Sequence, residues 1–383
     1  MLYTLLGDWI GILQQLEFRI LAAFGVAFVA VMVLGERTIR ALIRLKVGDA
    51  GATDAEALRV MAASKANIPS MGGVLVLGAI LLATLLLADI TEFYVYAAMI
   101  VLLAYGAIGG ADDFLKLTAS WRGARSRQGL YSWEKLAFQL GLALVVSIFL
   151  YRHGATGADR DLMHVLNLPF QKTYIKPEMR PNSSLLYLPP WVFVPLCVAM
   201  IAGMSNAVNI TDGMDGLASG LAVIVSVGLV VLAGVAGTQS WAQYLLVPYI
   251  PAAEELAVVA GAMGGATLGF LWFNCSPARV FMGDTGSLAL GALIGFIAIV
   301  IRQEVVIALM CGVYVLEITS VVLQVGWFKY TRIRTGEGRR IFRVAPYHHH
   351  LHLGNWPEQR VVARLWIVGV LLLVVALASI KVR

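Results

Sequence analysis

The chain has 383 residues, of which 59% are hydrophobic and only 14% are charged, and its mean hydropathy is +0.80. Soluble domains are about half apolar and about a quarter charged, so this composition excludes an ordinary soluble protein, and it excludes a disordered one as well. A net charge of +6 can indicate a nucleic-acid partner, but the basic residues here stand between long apolar blocks. Membrane orientation explains that placement better, and we expect no nucleic acid among the partners.

Ten apolar blocks follow one another along the chain, and most are long enough to cross a bilayer as a helix of about 20 residues. They occupy residues 18–43, 69–88, 93–111, 133–151, 190–208, 216–237, 255–273, 286–301, 305–328 and 361–380. The second span should begin at Pro69, because proline is common in the first turn of a helix. The blocks predict an all-α polytopic membrane protein of about ten transmembrane helices, forming a single domain over residues 1–383.

The longer connections between these blocks divide into two sets that should face opposite sides of the membrane. The set that includes 44–68, 112–132 and 329–360 carries more Lys and Arg residues than the other set. The positive-inside rule therefore predicts that this set is cytoplasmic and that both termini lie outside. Residues 152–189 contain several prolines and belong to the outer set, where we predict an exposed loop or a short hairpin.

The first candidate cluster lies at a predicted cytoplasmic end. Asp112 and Asp113 are adjacent, and their carboxylates would repel each other unless a cation or a proton lies between them. Mg²⁺ prefers oxygen ligands of this kind and also binds phosphate, which Lys116, one helical turn further on, could contact. The alternative is a helix end with ordinary interfacial charges.

The second cluster lies within residues 205–217. Asn206, Asn209, Asp212 and Asp215 follow one another at steps of three, which places them along one face of a helix or tight turn. Amides and carboxylates on one face suit a metal together with a nucleotide or a sugar. The alternative is a simple turn rich in Asn, Asp and Gly.

The third cluster lies within residues 272–287, which also contain Asn274. Asp284 and its neighbours Thr285 and Ser287 precede a span, where capping of the helix is the simplest role. A helix N-terminus also favours an anion such as phosphate. Phe281 beside this turn could stack on a base, although burial in the core is the commoner fate of an aromatic ring.

The fourth cluster is the run His348, His349 and His350 within residues 345–358. Zinc ligands need different spacing or a cysteine partner, and no cysteine lies nearby. Hydrogen bonding to a phosphate or pyrophosphate fits better, since several arginines precede the run. Solvated loop histidines are the alternative.

Two further charged residues are less specific. Lys65 precedes the second span, where a lone lysine is more often a membrane anchor. Glu317 lies in the middle of a predicted span, and we assign it no catalytic role. A transporter with an acidic site at mid-depth is therefore an alternative function, but most charged groups cluster at one face and no inverted repeat is visible.

Four motifs together resemble those of a known enzyme family. They are Asp-Asp-x-x-Lys (112–116), Asn-x-x-Asn-x-x-Asp-Gly-x-Asp-Gly (206–216), Phe-Met-Gly-Asp-x-Gly-Ser (281–287) and Pro-x-His-His-His (346–350). In this order they resemble the polyprenyl-phosphate N-acetylhexosamine-1-phosphate transferases, over nearly the whole chain. The segment 355–366 is similar to the phospho-N-acetylmuramoyl-pentapeptide branch of that superfamily.

The resemblance implies a dimeric enzyme of the bacterial inner membrane. Its termini and the 152–189 loop would be periplasmic, while the 329–360 loop and the active-site cleft would face the cytoplasm. It would transfer phospho-MurNAc-pentapeptide from UDP-MurNAc-pentapeptide to undecaprenyl phosphate, giving lipid I and UMP, with Mg²⁺ as cofactor. This reaction is the first membrane step of peptidoglycan synthesis.

The resemblance also implies roles for individual residues, matched by position in the motifs. The implied catalytic residues are Asp112, Asp113, Asp284 and His349, with one of the adjacent aspartates as the base that deprotonates the lipid phosphate. The implied metal ligands are Asp284, Asp212 and Asn209. The implied substrate-binding residues are Lys65, Lys116, Asn206, Asn209, Asp212, Asp215, Asn274, Phe281, His348 and His350.

Two questions stay open at this point. The sugar could be N-acetylglucosamine rather than MurNAc-pentapeptide, as in related transferases. The lipid phosphate could attack the donor directly, or an aspartyl-phosphate intermediate could form first. We expect direct attack, because a phosphate whose second pKa is about 6 is already largely ionised near neutral pH.

Overall fold

The computed structural model describes residues 11–44, 68–122, 129–154 and 162–381. The helices within these residues are α1 Leu16–Arg44, α2 Gly73–Leu87, α3 Phe93–Arg122, α4 Ser132–Gly154, α5 Pro190–Thr211, α6 Leu217–Gly237, α7 Gln239–Leu245, α8 Glu255–Asn274, α9 Gly283–Val300, α10 Glu304–Met310, α11 Gly312–Thr335, α12 Tyr347–His352 and α13 Glu358–Lys381. Short 3₁₀ turns occupy Gly11–Gln14 and Leu162–His164.

The helices confirm an all-α polytopic membrane protein. In the described part of the chain, eight helices are long and apolar enough to cross a membrane, namely α1, α3, α4, α5, α6, α8, α9 and α13. The pair α10 and α11 meets at an angle of 83° and would make a ninth span if both helices belong to one crossing. The remaining predicted block corresponds to α2, whose 15 residues are fewer than a full span needs.

The second apolar block begins later than its proline suggested. Helix α2 begins at Gly73, because the preceding residues pair with the segment before α9 instead of entering the helix. The backbone N–H of Phe281 donates to the carbonyl of Pro69 at 2.8 Å, and the N–H of Gly72 donates to the carbonyl of Phe281 at 2.9 Å. The proline is therefore part of an extended connection between two helix starts.

Helices α8 and α9 form the centre of the bundle. Most of each lies buried among other helices, whereas α1, α4 and α13 expose much of their apolar surface on the outside. The sequence explains this difference, since α9 carries glycine and alanine at many positions and small residues allow close helix contact. Neighbouring helices therefore approach α9 closely, as α5 does at Gly291 and Gly295.

Residues 152–189 contain the predicted hairpin. Strand β1 (Val165–Leu166) pairs antiparallel with β4 (Leu186–Tyr187), and β2 (Tyr174–Ile175) pairs antiparallel with β3 (Arg180–Pro181) between them. We call this end of the bundle the hairpin end. The buried guanidinium of Arg302, just after α9, donates to the carbonyl of Val165 at 3.0 Å and joins the hairpins to the bundle.

The opposite end is where α3, α5 and α8 end and where α4, α6 and α9 begin, and we call it the polar end. Large aromatic side chains are exposed near both ends of the bundle. They include Trp191, Trp241 and Tyr244 at the hairpin end and Tyr131, Trp133 and Trp272 at the polar end. Tryptophan and tyrosine are enriched at the two interfaces of a membrane, so this distribution agrees with a bundle that spans one.

Candidate active site

The polar end is built around a close contact between α3 and α9. An added Cβ atom on Gly109 would overlap the carbonyl oxygen of Asp284, so this position in α3 requires glycine. The contact lays the last turns of α3 across the N-terminus of α9. It brings Asp112 and Asp113 beside Asp284, although more than 170 residues separate them along the chain.

Asp284 is the centre of the cluster. Its Oδ2 atom lies 2.8 Å from the Nζ atom of Lys135 and 3.2 Å from the Nζ atom of Lys116. Its Oδ1 atom accepts a hydrogen bond from the amide of Asn209 at 2.7 Å, and the same amide donates to the hydroxyl of Ser287 at 2.9 Å. Helices α3, α4 and α5 therefore each contribute a polar group to this one carboxylate of α9.

The two adjacent aspartates have different surroundings. The Oδ2 atom of Asp112 lies 3.0 Å from Lys116 and 3.6 Å from Lys135, and its Oδ1 atom accepts the backbone N–H of Leu130 at 2.7 Å. Asp113 contacts the first turn of α9 and accepts three hydrogen bonds there, from the N–H of Asp284, the N–H of Thr285 and the Thr285 hydroxyl. Asp112 thus faces the ammonium groups, while Asp113 caps the helix that carries Asp284.

Asp212 lies at the end of α5, next to the same cluster. Desolvation, together with the nearby carboxylates of Asp284 and Asp113, raises the pKa of Asp212 to about 7, against the opposing effect of a hydrogen bond from the Gly283 N–H. The aspartates predicted from three separate motifs are therefore close enough to influence one another electrostatically. Of the four carboxyl groups, those of Asp112 and Asp284 form ion pairs with the ammonium groups of Lys116 and Lys135.

The histidine run lies against the turn that follows Asp212. An added Cβ atom on Gly213 would lie 2.6 Å from Nε2 of His348 and 3.5 Å from Nε2 of His349. The two imidazole rings are neighbours, with centroids 4.2 Å apart. His350 turns away, since its Nδ1 atom accepts the Arg343 N–H and its ring stacks on Tyr347.

Four other predicted site residues make contacts within the protein around this centre. Asn274 is buried, and it accepts hydrogen bonds from the Gly216 N–H and the Ser219 hydroxyl while donating to the Val280 carbonyl. Asp215 is also buried and accepts the Ala278 N–H at 3.0 Å.

Asn206 donates to Gln139 at 2.6 Å, and Phe281 is half-buried in the connection that pairs with Pro69. These contacts connect the loops around the cluster, and Lys65 lies outside the described residues. The roles implied for all of these residues stay predictions.

Lys135 is a residue of the cluster that the sequence motifs did not identify. It stands in the first turn of α4, and its ammonium group makes the shortest ion pair to Asp284. The predicted topology indicates this residue, because the connection 112–132 joins two spans at one membrane face and so places Asp112 and the start of the next span on the same side. A lysine within one turn of that start could have been included with the acidic residues on topology alone.

The donor chemistry of the cluster fits a hard divalent cation. Carboxylate and amide oxygens predominate, and acidic groups outnumber the ammonium groups. Among the described residues, no group of three His, Cys, Asp or Glu side chains is arranged to hold a metal ion by itself. Mg²⁺ often takes only one or two carboxylates and completes its coordination with water and substrate phosphates. The cluster therefore fits a Mg²⁺ ion that would bind together with the substrate.

One comparison with known proteins bears on the chemistry of this cluster. Residues 93–302, just over half of the chain, match the family described as Glycosyl transferase family 4. The matched segment extends from α3 to the end of α9 and contains Asp112, Asp113, Lys135, Asp212 and Asp284. The match ends before the histidine run, whose place beside Gly213 comes from the tertiary structure.

Proposed function

We propose that this chain, which belongs to glycosyl transferase family 4, transfers phospho-MurNAc-pentapeptide from UDP-MurNAc-pentapeptide to undecaprenyl phosphate, giving lipid I and UMP. The family makes the chain a polyprenyl-phosphate sugar-1-phosphate transferase, which excludes the transporter alternative. The proposal concerns the identity of the sugar, the lipid and the pathway. The ion-paired cluster of Asp112, Asp284, Lys116 and Lys135 at one end of the membrane-spanning helices supports the transfer of a phosphoryl group, and the packing of residues 355–366 beside it carries the choice of sugar.

Support for the muramoyl donor comes from the start of α13. The segment 355–366 carries the resemblance to the muramoyl branch, and in the structure it packs on the second cluster. The carboxylate of Glu358 accepts the Asp215 N–H at 2.9 Å, and the indole of Trp366 lies against Gly220 in the first turns of α6. A segment that borders the site in this way is suited to distinguishing one sugar substituent from another.

The reaction is a displacement at phosphorus. An oxygen of the lipid phosphate forms a bond to the phosphorus that carries the sugar, the bond from this phosphorus to the UMP oxygen breaks, and UMP leaves with the electron pair. Lys116 and Lys135 would bind and orient the anionic pyrophosphate, because two phosphates must be held together against their repulsion. His349 would contact it from the side of the Asp212 turn, whereas His348 is buried behind Gly213 and would support His349 from there.

Mg²⁺ is the cofactor that we propose for this reaction. Asp284, Asp212 and Asn209 would hold it, with Asp112 beside them. When bound, it would neutralise charge on the pyrophosphate oxygens and on the departing UMP. Because a lysine ammonium group already lies against Asp284, the lysines would move toward the substrate phosphates as the carboxylates take up the metal.

Direct attack by the lipid phosphate is the route that the contacts of Asp113 favour. Both oxygens of this carboxylate accept hydrogen bonds from the first turn of α9, which leaves it poorly placed to act as a nucleophile. The rival route predicts UMP release from the donor without any lipid. Release of UMP by lipid-free wild-type protein, lost in Asp113→Asn, would contradict direct attack.

One assay tests the proposed function. Purified protein is given radiolabelled UDP-MurNAc-pentapeptide and undecaprenyl phosphate, with Mg²⁺ or with a chelator, and lipid I and UMP are measured. We expect equal amounts of both products with Mg²⁺ and neither with the chelator. Parallel reactions with UDP-N-acetylglucosamine test the alternative sugar. If product forms only in those reactions, the protein is an N-acetylglucosamine-1-phosphate transferase instead.

We further propose that the polar end faces the cytoplasm of a bacterium, that the protein resides in the inner membrane, and that it forms a homodimer. Support for the orientation comes from the basic residues that follow α11 at this end, which include Arg339, Arg340 and Arg343. Labelling of a cysteine introduced next to Arg340 by a membrane-impermeant thiol reagent tests it. Labelling in intact spheroplasts would overturn the proposed orientation, because only the outer face is accessible there.

A further inference from the structure

A buried carboxylate lies directly behind the histidine run. Glu317 in α11 and His348 in α12 are both completely shielded from solvent, and the Oε2 atom of Glu317 lies 3.1 Å from Nδ1 of His348. The same oxygen accepts the backbone N–H of His348 at 3.2 Å. One carboxylate oxygen therefore contacts both the main chain and the ring of a single histidine.

This contact holds the start of α12 in place. The N-cap residue Pro346 offers no side-chain hydrogen bond, so the first N–H groups of the short helix need a partner from elsewhere. Glu317 supplies that partner from another helix, for the N–H of His348. Since α12 consists of Tyr347–His352 and contains the whole histidine run, the placement of Glu317 determines where the run lies.

Neighbours at both ring nitrogens hold the imidazole of His348 in one orientation. The Nδ1 atom faces Glu317, and the Nε2 atom faces the backbone at Gly213, one residue after Asp212. A carboxylate at Nδ1 favours the form of histidine that carries a proton on that nitrogen, and such outer carboxylates commonly orient histidines in active sites. Nε2 is thereby directed to the turn that borders the acidic cluster, with His349 beside it.

A second buried ion pair provides a comparison. Arg302 and Glu304 are also almost fully shielded, but they lie at the hairpin end and join the end of α9 to the hairpins. The contacts of Arg302 with Val165, Ile299 and the ring of Phe193 all lie at that end, away from the candidate active site. The pair of Glu317 and His348 differs because one of its members reaches the candidate active site.

We propose that Glu317 is a positioning residue for the transfer reaction. It fixes the orientation and the proton of the buried His348 and so holds the neighbouring, half-buried His349 beside the Asp212–Gly213 turn, where His349 meets the pyrophosphate of the donor. This inference rests on the proposed function. It assigns a role to a residue to which the sequence alone gave no catalytic role.

A double-mutant cycle tests the inference. The variants are Glu317→Gln, His348→Ala and the double variant, each assayed for phospho-sugar transfer and for thermal unfolding in detergent. We expect Glu317→Gln to lower kcat/KM by roughly 10–100-fold, as removal of a carboxylate behind a functional histidine does. The double variant should be no less active than His348→Ala alone, because Glu317 acts through that ring.

Glu304→Gln is the matched control, since it neutralises another buried, ion-paired glutamate far from the site. It should lower the unfolding temperature while leaving kcat/KM within about twofold of the wild type. Gly213→Ala provides a second route to the same result without altering Glu317. Its added methyl group would displace His348, and its loss of activity should not add to that of Glu317→Gln.

The outcomes separate this inference from the proposed function. If the wild type transfers the phospho-sugar but the losses from Glu317→Gln and His348→Ala multiply in the double variant, the positioning role is wrong and the function stands. The positioning role is also wrong if the wild type is active and Glu317→Gln loses stability but keeps its kcat/KM. A wild type that transfers neither MurNAc-pentapeptide phosphate nor N-acetylglucosamine phosphate overturns both.

Discussion

Asp113 accepts two hydrogen bonds from Thr285, one from the backbone N–H at 2.9 Å and one from the hydroxyl at 2.7 Å. Its neighbour Asp112 instead faces Lys116 and Lys135. The Asp-Asp pair, which the sequence presents as two equivalent carboxylates, is therefore divided between a capping role and an electrostatic one. This division has consequences that mutations can measure.

Asp113→Asn should destabilise the protein more than Asp112→Asn does. An amide at position 113 places its N–H₂ group near donors that need an acceptor, and loss of a helix cap costs roughly 0.5–2 kcal/mol. Thermal unfolding of both variants in the same detergent checks this. Equal unfolding temperatures for the two variants would contradict the assignment of the cap to Asp113.

Lys135→Met should be strongly impaired in transfer. Its ammonium group makes the 2.8 Å ion pair to Asp284, and removal of a charged group aimed at a transferring phosphate costs about 10²-fold in kcat. Lys329→Met is the matched control, because Lys329 is exposed on α11. A Lys135→Met variant as active as Lys329→Met would mean that this ion pair has no part in the reaction.

Gly109→Ala should abolish activity, while Gly110→Ala should be tolerated. A methyl group at 109 would overlap the Asp284 carbonyl oxygen and would force α3 away from α9, whereas one at 110 meets Thr285 only at 3.6 Å. Overpacking of this kind costs about 1–3 kcal/mol, and here it also separates the carboxylates. Transfer assays and unfolding curves of the two neighbouring variants form the test, and normal activity in Gly109→Ala would exclude the close contact.

Mg²⁺ and the nucleotide should stabilise the protein cooperatively. The carboxylates of Asp112 and Asp284 are already neutralised by lysines, so Mg²⁺ alone must compete with ammonium groups for them. UDP supplies phosphates to which those lysines can turn, and tighter binding appears as a larger shift in unfolding temperature. The measurement compares Mg²⁺, UDP and both together, and purely additive shifts would argue against exchange of the lysines for the metal.

Much of the fold follows from patterns along the chain. The apolar blocks predicted the long helices, because a membrane-spanning helix must satisfy its own backbone hydrogen bonds and cover them with about 20 apolar residues. The prolines of 152–189 predicted an exposed loop or a short hairpin, and two short antiparallel strand pairs form there. The start of α2 was wrong by four residues, since the connection after Pro69 pairs with residues 281–282, which are far away in sequence.

The sequence predicted which residues form the candidate site better than it predicted the contacts among them. Successive helices run in opposite directions, so the C-termini of α3 and α5 and the N-terminus of α9 lie at the same face of the bundle. The sequence therefore predicts that Asp112, Asp212 and Asp284 lie at one face. Lys135 was missed because it belongs to no motif. The contact between Glu317 and His348 was missed because it joins two helices whose relative placement no local pattern encodes.

The sequence by itself determined that the chain spans a membrane many times and that its acids, amides and imidazoles collect at one end, because hydropathy and chain direction act along each helix independently. Only the tertiary structure decided which carboxylate caps α9, which lysine neutralises Asp284 and which acid holds His348. Those choices depend on hydrogen-bond and ion-pair distances of about 3 Å between side chains of different helices. Such distances depend on how closely two helices approach, and at Gly109 the absence of a side chain is what permits the close approach of α3 to α9.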